Sequence, residues 1–446
     1  MNLSQWYPIG ISNYMKKPLC TFPWAHLDIE TNGDIKYCCA SVYDKNDSHL
    51  DKHGNHYNIN THTIDEAWNS DRIRELRRKL HNGIKAPECR VCWDQEDKGQ
   101  WSVRHAARQA QDDCYSDIQK TIDASAKNDY AVDTDPHYYQ IQTGNLCNLA
   151  CKMCHSDYST TYGDFYFELY PDDVNQTKYV DNSSDSKRVN NKPNRYDWPV
   201  KIGLSNLING NKLEHITRLF LSGGEPTIIL ENLKFLEYLI ESNHSKHIHL
   251  IITTNTTKIN PRFAKSIKHF QKVTMILSID AVGEPIEIQR YPAKWAQVDK
   301  NIKQYINISK ENANGNISVA FNIVVSLLTL PTLDRLIDYI ADHNLQFDIH
   351  IDITALFSLD YGDLNLSAVP LEIATQTCNK LRQSLEKNYS YLQPGSIEHI
   401  NKFIGFLEKF PYNHENDYTP VQFALNKIQE HHPDRDIKSI FPVYFP

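Results

Sequence analysis

The sequence predicts an α/β protein built around a parallel sheet, and three observations support this. Strand-like apolar segments alternate with segments of helical period from residue 137 to residue 388. Such alternation implies parallel strands joined by right-handed crossovers. Small polar residues follow several of these strands, at the edge where α/β barrels carry their chemistry. Cysteines cluster directly after the first strand and again in the residues that precede it.

The elements of the predicted core follow from period and from turn residues. The predicted strands are 137–142, 217–222, 247–254, 273–279, 317–325 and 347–354. The predicted helices are 229–242, 260–270, 295–310, 331–343 and 370–388. Six β/α units are two strands short of a full eight-stranded barrel, so we expect a partial barrel.

The domain boundaries follow from changes in composition and pattern. We expect an N-terminal cysteine-rich unit over 1–104, a helical connector over 105–135, a core over 136–360 and a helical extension over 361–446. Residues 166–200 are polar and irregular, which is typical of an insertion within the core.

The N-terminal unit begins with a predicted hairpin. Residues 23–29 alternate like a strand, Asn32-Gly33 is a strong turn signal, and residues 34–37 return as the partner strand. Thr63 and Glu66 then form a capping box, which predicts one helix that ends near residue 82.

The cysteines of this unit form a complete set of ligands for a metal site. The hairpin brings its cysteines together, and a C-x₂-C pair follows the helix. The four expected ligands are Cys20, Cys38, Cys89 and Cys92. Four thiolates suit a zinc ion or an iron–sulfur cluster, and spacing alone does not separate the two. Cys39 is expected to be a buried spare thiol, with a substitute ligand or a substrate-facing group as alternatives. Cys114 and Cys378 have no partner at ligand spacing.

A second cysteine group follows the first core strand. Cys147, Cys151 and Cys154 have the spacing C-x₃-C-x₂-C. Three thiolates on a short loop can hold three corners of a [4Fe–4S] cube and leave the fourth iron open to another ligand. A zinc loop is the alternative, although zinc prefers cysteine pairs that recur in matched sets.

This spacing, with Met153 before the last cysteine, resembles the radical S-adenosylmethionine (SAM) superfamily, and Gly223-Gly224-Glu225-Pro226 matches that family's second motif. The resemblance covers about residues 135–360 and implies a partial (β/α)₆ TIM-like barrel. It also implies a [4Fe–4S] cluster, SAM, and reductive cleavage of SAM to a 5′-deoxyadenosyl radical that abstracts a substrate hydrogen. The N-terminal cysteines resemble the SPASM and shorter twitch modules, which carry an auxiliary [4Fe–4S] cluster. Those modules normally follow the barrel, whereas this one precedes it.

The resemblance also assigns residues to SAM. Gly223, Gly224, Glu225 and Pro226 would face its ammonium group. Its ribose, carboxylate and adenine would be contacted by Asn255, Ser278, Asp280, Arg290, Val324 and Met153, where Arg290 would form a salt bridge to the carboxylate. Strand-end capping, a plain β-to-α turn and, for Met153, an apolar core position are the structural alternatives. No catalytic acid or hydrogen donor is assigned.

The resemblance favours a peptide or protein as substrate, because auxiliary-cluster modules in related enzymes often accompany peptide maturation. A small molecule such as a sugar, nucleotide or amino acid is the alternative, and a non-catalytic zinc-binding interaction protein is the remote one. The radical SAM reaction also implies an electron donor such as flavodoxin or ferredoxin, and oxygen sensitivity.

Charge and hydropathy exclude other classes of partner. The formal net charge of −8 argues against nucleic acid, which requires clustered cations. The basic residues between 72 and 79 are expected to form the solvated face of a helix. No apolar run is long enough for a membrane span, and the first residues lack a signal-peptide pattern. We therefore expect a cytoplasmic protein, in which clustered cysteines bind metal rather than form disulfides.

Overall fold

An eight-stranded, mostly parallel sheet organises the fold. The computed structural model describes residues 19–41, 49–97, 102–105, 107, 118–169, 195–312, 314–343, 351–355, 364, 366–392, 394–409 and 417–446. Cys114, most of the predicted insertion and the first residues of the sixth predicted strand therefore lie outside the described residues.

The strands follow one another across the sheet in the order β2-β1-β3-β4-β5-β6-β7-β8. They are β1 (His26–Ile29), β2 (Ile35–Lys36), β3 (Tyr138–Gln142), β4 (Arg218–Ser222), β5 (His249–Thr254), β6 (Lys272–Ser278), β7 (Ile317–Val325) and β8 (Ile351–Ala355). Only the β1–β2 pair is antiparallel. Since β2 and β8 are the two edges, the described sheet is open, as a partial barrel requires.

The N-terminal hairpin is part of this same sheet. β1 pairs in parallel with β3, and Asp28 lies opposite Gln140. Within the described residues the hairpin thus supplies two strands beyond the six that the core pattern predicts. The sequence does not reveal this pairing, because hydrophobic period identifies a strand but not its neighbour.

Helices surround the sheet. The first nine are α1 (Phe22–Ala25), α2 (Ile64–Trp68), α3 (Asp71–His81), α4 (Arg90–Asp97), α5 (Ile118–Lys127), α6 (Thr160–Leu169), α7 (Trp198–Ile202), α8 (Leu204–Leu207) and α9 (Asn211–His215). The others described are α10 (Leu230–Glu241), α11 (Pro261–Ser266), α12 (Glu284–Gln289), α13 (Trp295–Glu311), α14 (Leu333–Asp342), α15 (Leu371–Asn388), α16 (Pro394–Leu407), α17 (Thr419–His431) and α18 (Ile437–Ile440). None of the described helices is long and apolar enough to cross a membrane.

Alternation along the strands separates an apolar face from a more polar one. Leu219, Leu221, Leu250 and Ile252 are fully buried in the core that the helices cover. The intervening side chains of the central strands stay half-buried, for example Ser222. The second face of the central strands therefore remains partly accessible.

Two predictions in the N-terminal unit are wrong in detail. Residues 23–29 are not one strand: Pro23 occupies the first turn of α1, and β1 begins only at His26. The helix expected from Thr63 to about residue 82 is interrupted, because the Ser70 side chain caps a new helix by accepting from the Ile73 amide.

The basic helix is only partly solvated. Arg77 is fully buried, and its Nε donates to the Pro23 carbonyl over 2.7 Å. Its guanidinium also donates to the Trp68 carbonyl over 2.9 Å and to the Tyr130 carbonyl over 3.0 Å. Arg77 therefore fastens α3 to α1, which the helical charge pattern did not indicate.

Candidate active site

The three-cysteine loop lies between β3 and α6, and neighbouring hydroxyl groups hold its backbone. Thr161 Oγ1 donates to the Cys147 carbonyl over 2.7 Å, and Ser159 Oγ donates to the Leu149 carbonyl over 2.5 Å. The Lys152 amide donates to the Gln289 carbonyl over 2.7 Å. The loop is therefore fixed on both sides, by the start of α6 and by the end of α12.

The thiols of this loop lie close enough to affect one another's protonation. Burial raises the pKa of all three, and Cys147 raises the pKa of both Cys151 and Cys154 further. The pKa of Cys151 rises to about 12, although Arg290 opposes the effect of burial there. Without metal these thiols are protonated, so metal binding must release their protons.

The Gly-Gly-Glu-Pro segment packs directly on this loop. The Gly224 amide donates to the Gly144 carbonyl over 3.2 Å, and the Glu225 amide donates to the Leu146 carbonyl over 2.8 Å. A Cβ atom at position 224 would lie 2.2 Å from the Leu146 carbonyl oxygen. Glycine is therefore required by the close approach of two backbones, and this contact brings the two motifs together.

The Glu225 carboxylate is turned into the protein. It is 1% exposed, and it accepts from Thr227 Oγ1 over 2.5 Å, from Thr254 Oγ1 over 2.8 Å and from the Asn255 amide over 2.6 Å. Burial raises its pKa against the effect of these hydrogen bonds. The carboxylate thus joins the ends of β4 and β5, and its contact with the SAM ammonium stays a prediction.

Asn255 lies beside the first cysteine. Its Nδ2 is 3.8 Å from Cys147 Sγ and donates to Asn148 Oδ1 over 3.0 Å. Asn148 Nδ2 in turn donates to Thr257 Oγ1 over 2.9 Å. Asn148 and Thr257 were not predicted as site residues, because isolated polar residues in loops carry no distinctive signal.

Arg290 is held by Asp280 rather than facing open space. Its Nε and a terminal nitrogen donate to the two Asp280 oxygens over 2.6 and 2.9 Å. Asp280 is fully buried, and it also accepts from Gln289 Nε2 over 2.7 Å and from the Val324 amide over 2.9 Å. Although burial lowers the pKa of Arg290, Asp280 raises it above its usual value. Both Asp280 oxygens already accept hydrogen bonds from protein groups. The expected contacts of Asp280 and Arg290 with SAM stay predictions.

The other predicted SAM residues lie in the same region. Ser278 is buried at the end of β6, opposite Asn322 of β7. Met153 and Val324 are half-buried, and Pro226 is buried with its carbonyl accepting from Asn232 Nδ2 over 3.0 Å. The two motifs and these strand ends therefore share one edge of the sheet.

The N-terminal cysteines form a second site. One cavity is lined by Cys20, Cys38, Cys89 and Cys92 together with Tyr37, Trp93 and Arg104. Burial and the neighbouring Cys20 both raise the pKa of Cys89. Tyr37 Oη lies 3.7 Å from Cys89 Sγ. The pKa of Cys92 is also raised by burial. Tyr37 and Arg104 are additions that the cysteine spacing did not indicate.

Cys39 does not have the predicted environment. Its side chain is exposed rather than buried, although it is hydrogen-bonded to the Cys38 thiol. It follows a two-residue strand at the sheet edge, which explains why it is not enclosed. Cys378, in contrast, is buried on α15.

A polar group that the sequence did not indicate lies where β1 meets β3. Lys36 Nζ donates to Glu30 Oε1 over 2.6 Å, and Tyr158 Oη donates to Glu30 Oε2 over 3.0 Å. Gln142 Nε2 contacts Asp28 Oδ1 over 3.4 Å, and the pKa of the fully buried Asp28 is raised by burial and by Glu30. The hairpin thus contributes ionisable groups to the sheet.

A site for a single metal ion is not found in the part of the chain that the structure describes. Among these residues, no three His, Cys, Asp or Glu side chains are arranged to hold a metal ion.

The first core strand of this partial barrel leads into a three-cysteine loop that packs on the Gly-Gly-Glu-Pro edge, which is the arrangement expected of a radical SAM domain. The profile described as "Radical SAM superfamily" matches residues 141–325, and the SPASM profile, "Iron-sulfur cluster-binding domain", matches residues 20–93. The chain therefore carries a radical SAM domain, with a SPASM domain N-terminal to it.

Solved structures of Streptococcus suis SuiB are among those similar to this chain. SuiB bound to the precursor peptide SuiA has 14% identity and a TM-score of 0.35, covering 61% of this chain and 51% of that one. SuiB bound to S-adenosylmethionine has 12% identity and a TM-score of 0.34, covering 71% and 62%. The chain thus spans about half to three-fifths of these structures, and no curated protein sequence matches it significantly.

Proposed function

We propose that this protein cleaves SAM reductively and uses the product to abstract a hydrogen atom from a peptide or protein substrate. A [4Fe–4S] cluster bound by Cys147, Cys151 and Cys154 would supply the electron that breaks the S–C5′ bond of SAM, which yields a 5′-deoxyadenosyl radical. The chain's own residues would bind, orient and enclose the reactants.

The observation that carries this proposal is the contact between the two motifs. The three thiols interact electrostatically on one loop, and the backbone that leads into this loop is hydrogen-bonded to Gly224 and Glu225. Gly223 and Gly224 are half-buried at this edge, where their backbone carbonyls would accept from a cationic amino group. Arg290, held by Asp280 and adjacent to the Cys151 thiol, would fix a positive charge beside the thiolates.

The four cysteines of the N-terminal cavity would hold an auxiliary [4Fe–4S] cluster. Support comes from the convergence of Cys20, Cys38, Cys89 and Cys92 on one cavity and from the iron–sulfur description of the SPASM profile. Tyr37 would donate to a cluster sulfur, which tunes its potential.

A peptide or protein substrate is favoured by the SPASM module, which in related enzymes often accompanies peptide maturation. The described sheet is also open, with β2 and β8 as its two edges. An electron donor such as flavodoxin or ferredoxin would complete the reaction, in a reducing compartment such as the cytoplasm.

Anaerobic reconstitution followed by a SAM cleavage assay tests the proposal. We expect about eight irons and eight sulfides per chain, as two four-iron clusters require. Dithionite-reduced enzyme should form 5′-deoxyadenosine, and the triple variant Cys147→Ala, Cys151→Ala, Cys154→Ala should not. Cys378→Ala, which removes a buried thiol of α15, is the matched control. Product formation by the triple variant would refute the cluster assignment.

The substrate class needs a separate experiment. The enzyme is incubated with short peptides encoded near its gene and, in parallel, with sugars and nucleotides, and a mass change in either set is recorded. Modification of a peptide supports the proposal. Modification of only a sugar or nucleotide would support the small-molecule alternative.

A further inference from the structure

An open groove of about 770 Å³ lies on the outside of the barrel, between α11 and α13. Its walls come from the segment after β5, from α11 with the short 3₁₀ turn that follows, and from α13. This volume suits side chains of a protein partner better than a single bound ion.

The groove is basic in an acidic protein. No aspartate or glutamate lines it, although the chain carries a formal net charge of −8. Four exposed lysines line it: Lys258, Lys265, Lys268 and Lys300.

The positive charge of these four lysines is not neutralised locally. Nearby Arg262 pairs with Glu237 over 2.8 Å, and Lys303 pairs with Asp299 over 2.7 Å. None of the four groove lysines forms an ion pair within the part of the chain that the structure describes. Four like charges around one groove repel each other slightly, so a negatively charged partner would relieve this repulsion.

A hydrogen-bonded path connects the groove to the three-cysteine loop. Thr257 lines the groove, and its Oγ1 donates to Asn255 Oδ1 over 2.6 Å. Thr257 Oγ1 also accepts from Asn148 Nδ2 over 2.9 Å. Asn255 Nδ2 lies 3.8 Å from Cys147 Sγ. One residue, Asn255, therefore lies between the groove-lining Thr257 and Cys147 Sγ, which makes a short path for electron transfer.

We propose that this groove docks the reductant of the enzyme, a small acidic protein that carries a one-electron redox centre. This inference rests on the proposed function and specifies where its electron enters. The donor is oxidised by one electron, and the enzyme gains that electron for each SAM molecule whose S–C5′ bond breaks. Complementary charge would steer and orient the donor, and so raise the rate of association.

A nucleic acid would satisfy the lysines electrostatically, but the connection to Cys147 favours a redox protein. Phosphate binding needs only the charge, whereas an electron donor also needs a short path to the metal site. The groove meets both requirements of the donor. The nucleic-acid alternative is kept as an outcome of the test.

The test compares two variants of the reconstituted full chain. In Lys265→Glu/Lys300→Glu the charge of the groove is reversed in part. In the control, Lys380→Glu/Lys409→Glu, the same change is made at exposed lysines in the C-terminal helical region. The probe is flavodoxin kept reduced by its reductase and NADPH, with ferredoxin as a second probe. Binding is measured by calorimetry at two salt concentrations, and 5′-deoxyadenosine is measured with the protein donor and with dithionite.

We expect the groove variant to bind the donor at least tenfold more weakly, and to lose donor-driven product in proportion. Its dithionite-driven rate should stay within twofold of the parent, and the control variant should behave like the parent. Equal donor binding by parent and groove variant would overturn the proposal, as would failure of both donors to bind the parent. Lysine-dependent binding of a 20-nucleotide single strand without donor binding would do the same. Absence of dithionite-driven product in the parent would instead refute the proposed function.

Discussion

The change Gly224→Ala tests whether the two motifs must pack backbone against backbone. The added methyl group would lie 2.2 Å from the Leu146 carbonyl oxygen, and 3.0 Å is the shortest approach that real Cβ atoms make. Leu146 must therefore move by at least about 0.8 Å, the difference between these values. Leu146 directly precedes Cys147, so this movement passes to the first thiol.

The energetic cost can be bounded from the same contacts. Overpacking costs about 1–3 kcal/mol, and weakening the Gly224–Gly144 and Glu225–Leu146 hydrogen bonds costs about 1 kcal/mol each. Misplacing a reacting group by about 1 Å can cost about 100-fold in rate. We expect Gly224→Ala to reduce dithionite-driven 5′-deoxyadenosine formation by about 10- to 100-fold, and to lower the melting temperature.

Iron content locates the damage. If the loop no longer holds its cluster, iron should fall from about eight to about four per chain, because the N-terminal cysteines are not in contact with Gly224. Gly405→Ala is the matched control, since nothing lies within 4 Å of a Cβ at that helical position. That variant should keep full activity and gain about 0.5–1 kcal/mol of stability. Unchanged activity and iron in Gly224→Ala would refute the argument.

Three further predictions concern charge and hydrogen bonding. Arg290→Met leaves Asp280 buried without its cation, which should lower the free energy of unfolding by about 3–5 kcal/mol in a thermal melt. Adding Asp280→Asn should recover part of this stability. No recovery in the double variant would contradict the pairing. Burial lowers the pKa of His249 to about 2, so its neutral form stabilises the fold above pH 6.5 and this stability is lost as pH falls. The free energy of unfolding should fall by about 2 kcal/mol between pH 6.5 and 5 through this residue. The melting temperature of His249→Gln should therefore fall less than that of the parent over the same range. An equal fall in both proteins would contradict the lowered pKa of His249. Asn255→Leu removes the donor beside Cys147 Sγ and should lower the reduction potential of the cluster in an EPR-monitored titration, whereas an unchanged potential would contradict that contact.

Much of the core was predictable because its signals are local. The strand predicted over 317–325 coincides with β7, and the helix predicted over 295–310 is one residue short of α13. Long amphipathic or buried segments carry their period in their own residues, so their positions follow without knowledge of the fold. The convergence of Cys20, Cys38, Cys89 and Cys92 also followed, since a turn and a C-x₂-C pair constrain it.

The pairings between distant residues were not predictable. Asp280 and Arg290 were both expected to contact SAM, which stays a prediction, and their ion pair with each other was not anticipated. A charged residue near a strand end can contact a ligand or pair with another residue of the protein. The sequence does not separate these alternatives, because it gives no sign of the counter-ion. Cys39 was expected to be buried because cysteine usually is, but its place after a short edge strand leaves it exposed.

The pairing of β1 with β3 changes how the two cysteine sites are related. Cys38 follows β2 by two residues and Cys147 follows β3 by five, and β1 lies between these two strands and pairs with both. Parallel neighbours lie about 4.8 Å apart and share backbone hydrogen bonds, so the SPASM domain cannot turn relative to the core without breaking this ladder. A flexible linker would allow such motion, whereas a shared sheet fixes the two sites in one register. The same pairing brings Asp28 opposite Gln140, so the hairpin that carries Cys38 also builds part of the barrel wall.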